Sequence, residues 1–261
     1  MLSKNRQKTI RQMAMRKYRK EYGMFLAEGP KLVGELLKCM KPIYIAATRE
    51  WTDSNRDAAT LVDDIVTQDE LSRASLQQTP QGVLALFPLP HHETDTSSIG
   101  TRDICLMLDG IQDPGNIGTI VRLADWFGIR QIICSNDTAD IYSPKAIQAT
   151  MGSICRVEII YTDLPELLKN ISPDVPVYGT LLDGDDVYDT NLSSNGIIIM
   201  GNEGNGISTE VRKYLTHGLL IPPYPISAIT AESLNVGVAT AIICAEFRRR
   251  IRQNSTPPAS K

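Results

Sequence analysis

The sequence predicts an α/β protein with a small N-terminal α/β domain and a larger C-terminal domain built on a mostly parallel sheet. From residue 104 onward, short apolar segments alternate with helix-forming segments, a pattern typical of parallel sheets covered by helices. Residues 88–103 are rich in Pro, Ser and Thr and poor in apolar side chains, as linkers are. The 261 residues are 42% hydrophobic, which is enough to bury a sizeable core.

The first 90 residues contain the elements of a small α/β domain. Good helix formers occupy residues 11–22, and Gly23 can end that helix in the left-handed conformation. Pro30 can begin a second helix that reaches residue 40. The remaining pattern predicts a short helix over 70–74 and apolar strands over 25–27, 43–47, 64–67 and 83–87.

The C-terminal domain is expected over 104–252, after a linker over 91–103 and before a flexible tail over 253–261. Its predicted strands are 104–108, 131–134, 156–160, 177–181, 197–200 and 219–221, and its predicted helices are 116–127, 144–151, 164–170, 208–214 and 233–250. Ligands of such sheets bind beyond the carboxyl ends of the strands. The loops after residues 108, 200 and 221 are therefore the candidate site.

Several classes of protein are not predicted. No apolar run approaches the roughly 20 residues of a membrane span. The five cysteines lie far apart and only three histidines accompany them, so we expect neither a metal site nor a disulfide framework. Most of the cysteines lie within apolar runs and are interpreted as small buried hydrophobic residues, and a reducing cytoplasm is expected.

The net charge of −3 conceals a basic N-terminus. Residues 1–20 contain eight Lys/Arg and no acid, whereas the rest has 19 basic against 30 acidic residues, a charge of −11. A basic segment on an acidic body indicates a contact with a polyanion such as RNA. A solvated helix face is the alternative that charge alone leaves open. The candidate RNA-binding residues are Lys4, Arg6, Lys8, Arg11, Arg16 and Arg19, and Tyr18 and Tyr22 could stack on bases.

The first candidate loop, DGIQDPGNIGTIVR at 109–122, follows a strand and opens a helix. Pro114-Gly115 predicts a turn, and Asn116 is expected to cap the helix through its side chain. Arg122 follows six residues later and can approach the same substrate as Asn116. The alternative is an ordinary helix start in which Arg122 pairs with Asp113 or Asp125.

The second and third loops are GNEGNG at 201–206 and the segment from Ile221 to ESLNV at 232–236. Three glycines around Glu203 indicate a backbone turn that a flat ligand could approach; its alternative is a tight turn before a helix capped by Ser208. Ser233 and Asn235 stand where an apolar helix begins, and capping alone would explain only one of them. Neither a dinucleotide fingerprint nor a phosphate-binding loop is present.

Taken in order, NIGTIVR, GNEGNGI and IP…ESLNV resemble the three signature motifs of the SpoU (TrmH-like) family of RNA 2′-O-ribose methyltransferases, in the SPOUT superfamily. The resemblance covers residues 104–250. The segments SKNRQKTI and FLAEGPKLV resemble the L30e-like substrate-binding domain of many members.

The resemblance implies S-adenosylmethionine as cofactor, a trefoil knot in the C-terminal domain, and a homodimer in which two subunits form each site. The family's polar active-site positions match Asn116, Arg122, Glu203, Ser233 and Asn235. The cofactor contacts match Gly201, Ile221 and Leu234, with Met200 as a neighbouring wall. The stretch PYPISAITAE is longer than is usual in the family, so we expect the wall near 224–230 to differ.

The sequence is therefore interpreted as a cytoplasmic methyltransferase acting on ribose 2′-hydroxyls of structured RNA, with 23S ribosomal RNA favoured over transfer RNA. The family's arginine is often assigned as the base, but a guanidinium is always protonated in proteins, so we interpret Arg122 as a clamp on ribose or phosphate. A non-catalytic RNA-binding protein would be expected to lose these polar positions. A nucleotide-dependent enzyme would need the glycine fingerprint that is missing.

Overall fold

The structure is a computed structural model and describes residues 2–90, 98–225 and 231–255, with side chains up to residue 253. By its internal contacts the chain divides into two compact units. Unit 1 contains residues 1–91 and 140–155, and unit 2 contains residues 92–139 and 156–261. The segment 140–155, which the sequence analysis included in the C-terminal domain, thus belongs by its contacts to unit 1.

Unit 1 is built on a mixed four-stranded sheet in the order β1-β4-β2-β3. Its strands are β1 (Met24–Glu28), β2 (Tyr44–Thr48), β3 (Asp64–Val66) and β4 (Val83–Pro88). Strand β4 is antiparallel to β1 and to β2, and β2 is parallel to β3. The helices are α1 (Lys4–Gln12), α2 (Arg16–Tyr22), α3 (Pro30–Leu37), α4 (Arg49–Ser54), α5 (Arg56–Ala59), α6 (Gln68–Ala74) and α8 (Pro144–Thr150).

The basic N-terminus forms two helices, α1 and α2, where the sequence predicted a helix over 11–22. Met13, in the turn between them, is fully buried together with Ile10 in the core of unit 1. Gly23 ends α2 at φ +62°, as expected for a glycine C-cap. One face of both helices is therefore packed, and most of their cations remain on the other face.

Cys39 and Cys155 form a disulfide within unit 1, so the expectation of five reduced cysteines was wrong for this pair. The two residues are 116 positions apart, and no local spacing indicates that they meet. The other three cysteines are buried and free, as expected. Burial raises the pKa of the Cys244 thiol to about 12, so this residue behaves as a hydrophobic side chain.

Unit 2 is built on a six-stranded sheet in the order β10-β8-β9-β5-β6-β7, and every pairing in it is parallel. Its strands are β5 (Ile104–Asp109), β6 (Gln131–Ser135), β7 (Glu158–Thr162), β8 (Val177–Asp186), β9 (Gly196–Gly201) and β10 (His217–Leu220). Its helices are α7 (Pro114–Trp126), α9 (Leu164–Lys169), α10 (Thr209–Arg212) and α11 (Val236–Ser255). The parallel sheet predicted from the alternation of elements is confirmed.

Strands β5 and β9 form the centre of this sheet and are buried along nearly their whole length. Continuous apolar runs such as that of residues 104–108 arise because helices cover both faces of a parallel sheet. Their carboxyl ends lie side by side, with Asp109 opposite Gly201. The first two candidate loops therefore leave the sheet at neighbouring points.

Two segments at the expected boundaries differ from the predictions. Ile99, in the expected linker, is buried in the core of unit 2, while residues 91–97 lie outside the described residues. Helix α11 begins at Val236, three residues later than predicted, and extends into the expected tail as far as Ser255. Within the described ranges, no helix is long and apolar enough to cross a membrane.

Candidate active site

The first loop begins helix α7 with a cap that the sequence analysis did not identify. Asp113 accepts hydrogen bonds from the backbone N–H groups of Gly115 at 2.7 Å and of Asn116 at 3.0 Å. The prediction that Asn116 caps the helix was wrong, because the carboxylate of Asp113 takes that place. Asn116 lies in the first turn instead, and its side-chain amide is available for other partners.

The second loop folds back on itself at the end of β9. Asn202 and Gly206 exchange two backbone hydrogen bonds of 2.9 Å, which leaves Glu203, Gly204 and Asn205 at the tip. A Cβ at position 201 would collide with the backbone of Gly206, so the turn requires a glycine there. Glu203 is consequently exposed at the tip of a closed turn.

Helix α10 follows this turn and begins as predicted. The Ser208 side chain accepts from the Val211 N–H, so Ser208 is the helix cap. The Ser208 N–H donates to the carboxylate of Asp109 at 2.7 Å. Asp109 is nearly buried at the end of β5, and this bond ties the end of the second loop to the start of the first.

The third loop brings Asn235 to the start of α11. Its Oδ1 accepts from the N–H groups of Gly237 at 2.9 Å and of Val238 at 3.3 Å. Its Nδ2 donates to the Oδ1 of Asn116 at 3.0 Å. Asn235 therefore serves both as a helix cap and as a contact between the third and the first loop.

These bonds form one chain of side chains across the three loops. Asn235 donates to Asn116, and the Nδ2 of Asn116 donates to Glu203 Oε1 at 2.7 Å. Both amides are oriented, since each uses its oxygen as acceptor and its nitrogen as donor. The chain begins at Asn235, which caps the N-terminus of α11, and ends at the carboxylate of Glu203. Three of the five predicted polar residues are thus in contact.

The other two predicted residues, Arg122 and Ser233, do not join this chain. Both are exposed, and neither side chain makes a hydrogen bond to any residue that the structure describes. The alternative pairing of Arg122 with Asp125 is not formed, because Asp125 binds Arg156 at 2.7 Å. Arg122 lies one turn before Trp126 on α7, and 82% of the Trp126 side chain is exposed.

The residues expected to hold the cofactor lie at the ends of β9 and β10 and before α11. Met200 is buried, Gly201 and Ile221 are half-buried, and Leu234 is 49% exposed next to Asn235. An apolar surface beside a few oriented polar groups suits a ligand such as S-adenosylmethionine, which combines an adenine with charged and hydroxyl groups. The longer stretch at 224–230 lies largely outside the described residues, because 226–230 are not among them.

In unit 1, five of the six predicted RNA-binding residues are exposed on α1 and α2, namely Lys4, Arg6, Lys8, Arg11 and Arg16. Arg19 is the exception: it is only 3% exposed and binds Asp140 at 2.7 Å. A buried arginine whose charge is already paired cannot contact phosphate, so the prediction that Arg19 binds RNA was wrong. Tyr18 packs against the core, whereas Tyr22 is exposed and its ring stacks 6.0 Å from that of Tyr18.

Two family models match the chain. The model of the SpoU rRNA Methylase family matches residues 103–245, and that of the MRM3-like substrate binding domain matches residues 4–85. The class defined by the fold and the three-loop site is therefore that of RNA methyltransferases. The chain belongs to the SpoU rRNA methylase family.

Relatives with assigned activities align over most of the chain. The 23S rRNA (guanosine(2553)-2′-O)-methyltransferase RlmP of Bacillus subtilis is 30% identical over 92% of this chain and 95% of its own. The 23S rRNA (guanosine-2′-O-)-methyltransferase RlmB of Neisseria meningitidis is 29% identical over 70% of this chain and 74% of its own.

Solved structures agree with the fold. A TrmH-family protein from Porphyromonas gingivalis has a TM-score of 0.83 and 38% identity, covering 96% of this chain and 99% of its own. An rRNA methyltransferase from Sinorhizobium meliloti, solved with AdoMet bound, has a TM-score of 0.82 and 28% identity, covering 96% of this chain and 97% of its own.

Three residues that hold the loops, Asp109, Asp113 and Asn202, were not predicted from the sequence. Asp113 could have been found, since an acid directly before Pro-Gly at a helix start is a common cap. Asp109 and Asn202 act on residues 99 and 92 positions away, and no local pattern indicates such contacts.

Proposed function

We propose that this protein transfers a methyl group from S-adenosylmethionine to a ribose 2′-hydroxyl of ribosomal RNA. The observation that carries the proposal is the hydrogen-bond chain Asn235–Asn116–Glu203, which joins three separate strand-end loops at one point. A purely structural role would not require an exposed carboxylate at the end of such a chain. Family membership and the rRNA methyltransferase activities of the relatives support the same conclusion.

The cofactor supplies a methyl group already activated on a sulfonium, so the protein has to align the acceptor oxygen and assist loss of its proton. Alignment of two bound reactants can lower the barrier by about 7–11 kcal/mol. Glu203 is suited to orient the hydroxyl, because Asn116 binds its Oε1 and leaves Oε2 as an acceptor. Ser233, exposed two residues before Asn235, offers a further hydroxyl at the same edge.

Arg122 is proposed to bind the ribose or the adjacent phosphate of the RNA. A planar guanidinium with several donors matches the geometry of a phosphate, and its charge is retained throughout the reaction. Arg122 suits this role because its side chain is exposed and makes no hydrogen bond to the described residues. The base that removes the proton would then be water or another side chain.

We propose a homodimer through the methyltransferase domain, formed by a surface that we call the α7/α11 face. It comprises Arg122 and Trp126 on α7 with Val238 and Ala245 on α11, and the two helices pack together. Trp126 is 82% and Val238 51% exposed, and exposed apolar side chains that share one surface mark sites of protein interaction. A second copy that covered this face would bury both side chains. It would also place Arg122 beside the active site of the partner subunit.

The exposed cations of α1 and α2 are proposed to bind RNA phosphates without reading sequence. Residues 1–90 would then act as the substrate-binding domain, with Tyr22 available to stack on an unpaired base. We also propose the trefoil knot of the family in residues 104–252 and a cytoplasmic location, where ribosomal RNA is found.

Transfer of labelled methyl from S-adenosylmethionine to ribosomal and transfer RNA tests the proposal directly. We expect labelling of ribosomal RNA at one nucleotide, and no labelling when that nucleotide is 2′-deoxy. Transfer that persists on the 2′-deoxy substrate would place the methyl on a base and refute the ribose assignment. Preferential labelling of transfer RNA would support the alternative substrate.

Thermal unfolding with added ligands tests the cofactor independently of RNA. S-adenosylhomocysteine should raise the melting temperature, because a ligand that binds only the folded state stabilises it by mass action. NAD and ATP serve as controls and should have no effect. Stabilisation by either nucleotide instead would contradict the cofactor assignment.

A further inference from the structure

We propose that Asn202 is a positioning residue that holds the catalytic loop of Glu203 in place, an inference that rests on the proposed function. Glu203 is exposed at the tip of its turn. Its side chain has one hydrogen bond among the described residues, to Asn116. The location of its carboxylate therefore depends on the geometry of the turn itself.

Asn202 determines that geometry from inside the turn. Its Oδ1 accepts from the N–H groups of Gly204 at 2.9 Å and of Asn205 at 3.0 Å. Its backbone N–H and C=O are both paired with Gly206 at 2.9 Å. One residue thus satisfies the polar backbone groups on both sides of Glu203, which keeps the turn closed without a buried core.

Asn202 also attaches the turn to the first loop. Its Nδ2 donates to the carbonyl oxygen of Gly110 at 2.6 Å, directly after β5. The first loop continues from Gly110 to Asn116, which is the partner of Glu203. The hydrogen bond of Asn202 therefore fixes the distance between the two loops whose side chains meet at the active site.

Gly110 is itself held by a side chain at the end of the neighbouring strand β6. Its N–H donates to the Ser135 hydroxyl at 2.9 Å, and Ser135 lies 2.9 Å from the Thr138 hydroxyl, which donates to the Leu108 carbonyl at 3.1 Å. Ser135 and Thr138 are both buried. Asn202 therefore anchors the turn to a rigid part of the sheet edge.

A set of variants separates positioning from folding. Asn202→Ala should lower kcat by about 10–100-fold, since a displacement near 1 Å at a reacting group can cost 10²-fold. The KM for RNA, the Kd for S-adenosylhomocysteine and the Tm should change little. Asn202→Asp keeps an acceptor for Gly204 and Asn205 but loses the donor to Gly110, so its kcat should also fall.

The matched control is Asn205→Ala, which removes the same side chain three residues later in the same turn. The Asn205 side chain makes no hydrogen bond to any described residue, so this variant should keep the kcat of the wild type. A loss in Asn205→Ala equal to that in Asn202→Ala would mean that any change in the turn is damaging, and would overturn the specific role of Asn202.

A double-mutant cycle with Glu203→Gln shows whether Asn202 acts through Glu203. If it does, Asn202→Ala should cost little further activity in the Glu203→Gln background, because coupled residues are non-additive. Fully additive losses, or a loss explained by a lower Tm or weaker cofactor binding, would overturn the proposal.

Amide hydrogen exchange provides a readout that does not depend on activity. In Asn202→Ala the amides of Gly204 and Asn205 should exchange faster, while those of β5 and β9 keep their protection. Unchanged protection at both amides would overturn the proposal. If the wild type methylated no RNA, the proposed function would fail, and this exchange measurement would still decide whether Asn202 holds the turn.

Discussion

Asn116 and Glu203 are 87 positions apart in the chain, yet the Asn116 Nδ2 lies 2.7 Å from the Glu203 Oε1. The contact forms because β5 and β9 are adjacent parallel strands and end at the same edge of the sheet. It occupies one oxygen of an exposed carboxylate and leaves the other without a hydrogen bond to the described residues.

Glu203→Gln should lower kcat by about 10²-fold, because the amide keeps the bond to Asn116 but loses the negative acceptor. Binding of S-adenosylhomocysteine, measured by calorimetry, should be unchanged. The control is Glu210→Gln, which removes an exposed acid from α10 with the same change in charge. Equal activities of the two variants would exclude Glu203 from the reaction.

Arg122→Ala should reduce methyl transfer by about 100-fold, because loss of the clamp displaces the 2′-oxygen from the methyl group, and a displacement near 1 Å can cost 10²-fold. Cofactor affinity should stay near that of the wild type, with Arg130→Ala as an exposed control. An equal loss of cofactor affinity, measured by calorimetry, would show that Arg122 binds the cofactor rather than the RNA.

Mixing the Arg122→Ala and Glu203→Gln proteins tests whether the site is shared between subunits. If Arg122 acts in the partner subunit's site, half of the dimers are mixed and each has one intact site, so about a quarter of wild-type activity should return. The measurement is methyl transfer after unfolding and refolding the mixture. No recovery, with mixed dimers confirmed by mass spectrometry, would place both residues in one subunit.

Trp126→Glu should convert the dimer to a monomer, because it places a charge in the centre of the proposed interface. Light scattering measures the mass, and activity should fall together with it. Leu182→Glu is the control, since Leu182 is 74% exposed on β8 and is not one of the residues of the α7/α11 face. A wild type that is already monomeric would contradict the shared-site proposal.

Replacing Lys4, Lys8 and Lys20 with Gln should weaken RNA binding and flatten its dependence on salt. Each lost phosphate contact reduces the slope of log K against log salt by roughly 0.7 for single-stranded and 0.9 for duplex nucleic acid, so the total change is about 2 to 3. A control with Arg130, Lys169 and Lys213 replaced by Gln has the same net charge. Equal slopes for the two variants would exclude α1 and α2 as the main RNA contact.

The disulfide of unit 1 predicts that the unfolded protein exposes three reactive thiols under non-reducing conditions. Cys39→Ser should lower the free energy of unfolding by about 2–4 kcal/mol, because the bridge restricts the unfolded chain. Reductant should lower the stability of the wild type to that of the variant and leave the variant unchanged. Titration of all five thiols without reductant would show that the bridge does not form.

The buried arginine and the bridged cysteines illustrate what the sequence could not indicate. Nothing in the local sequence distinguishes Arg19 from the exposed cations of α1 and α2. Arg19 is nevertheless buried, because its charge is paired with that of Asp140, 121 positions later. Cys39 and Cys155 meet because residues 140–155 belong to unit 1. Local patterns carry no information about contacts at such separations.

By itself, the sequence determined the parallel sheet, the family of the protein and the three loops that carry the polar residues. These follow from short-range features: apolar runs of strand length, glycines in a turn, and polar residues at strand ends. Only the tertiary structure decided that Asp113 rather than Asn116 caps α7, and that Asn116 is therefore free to bridge Asn235 and Glu203. The physical reason is that a short polar side chain has several possible partners, and the partner it binds depends on which groups the fold brings within about 3 Å.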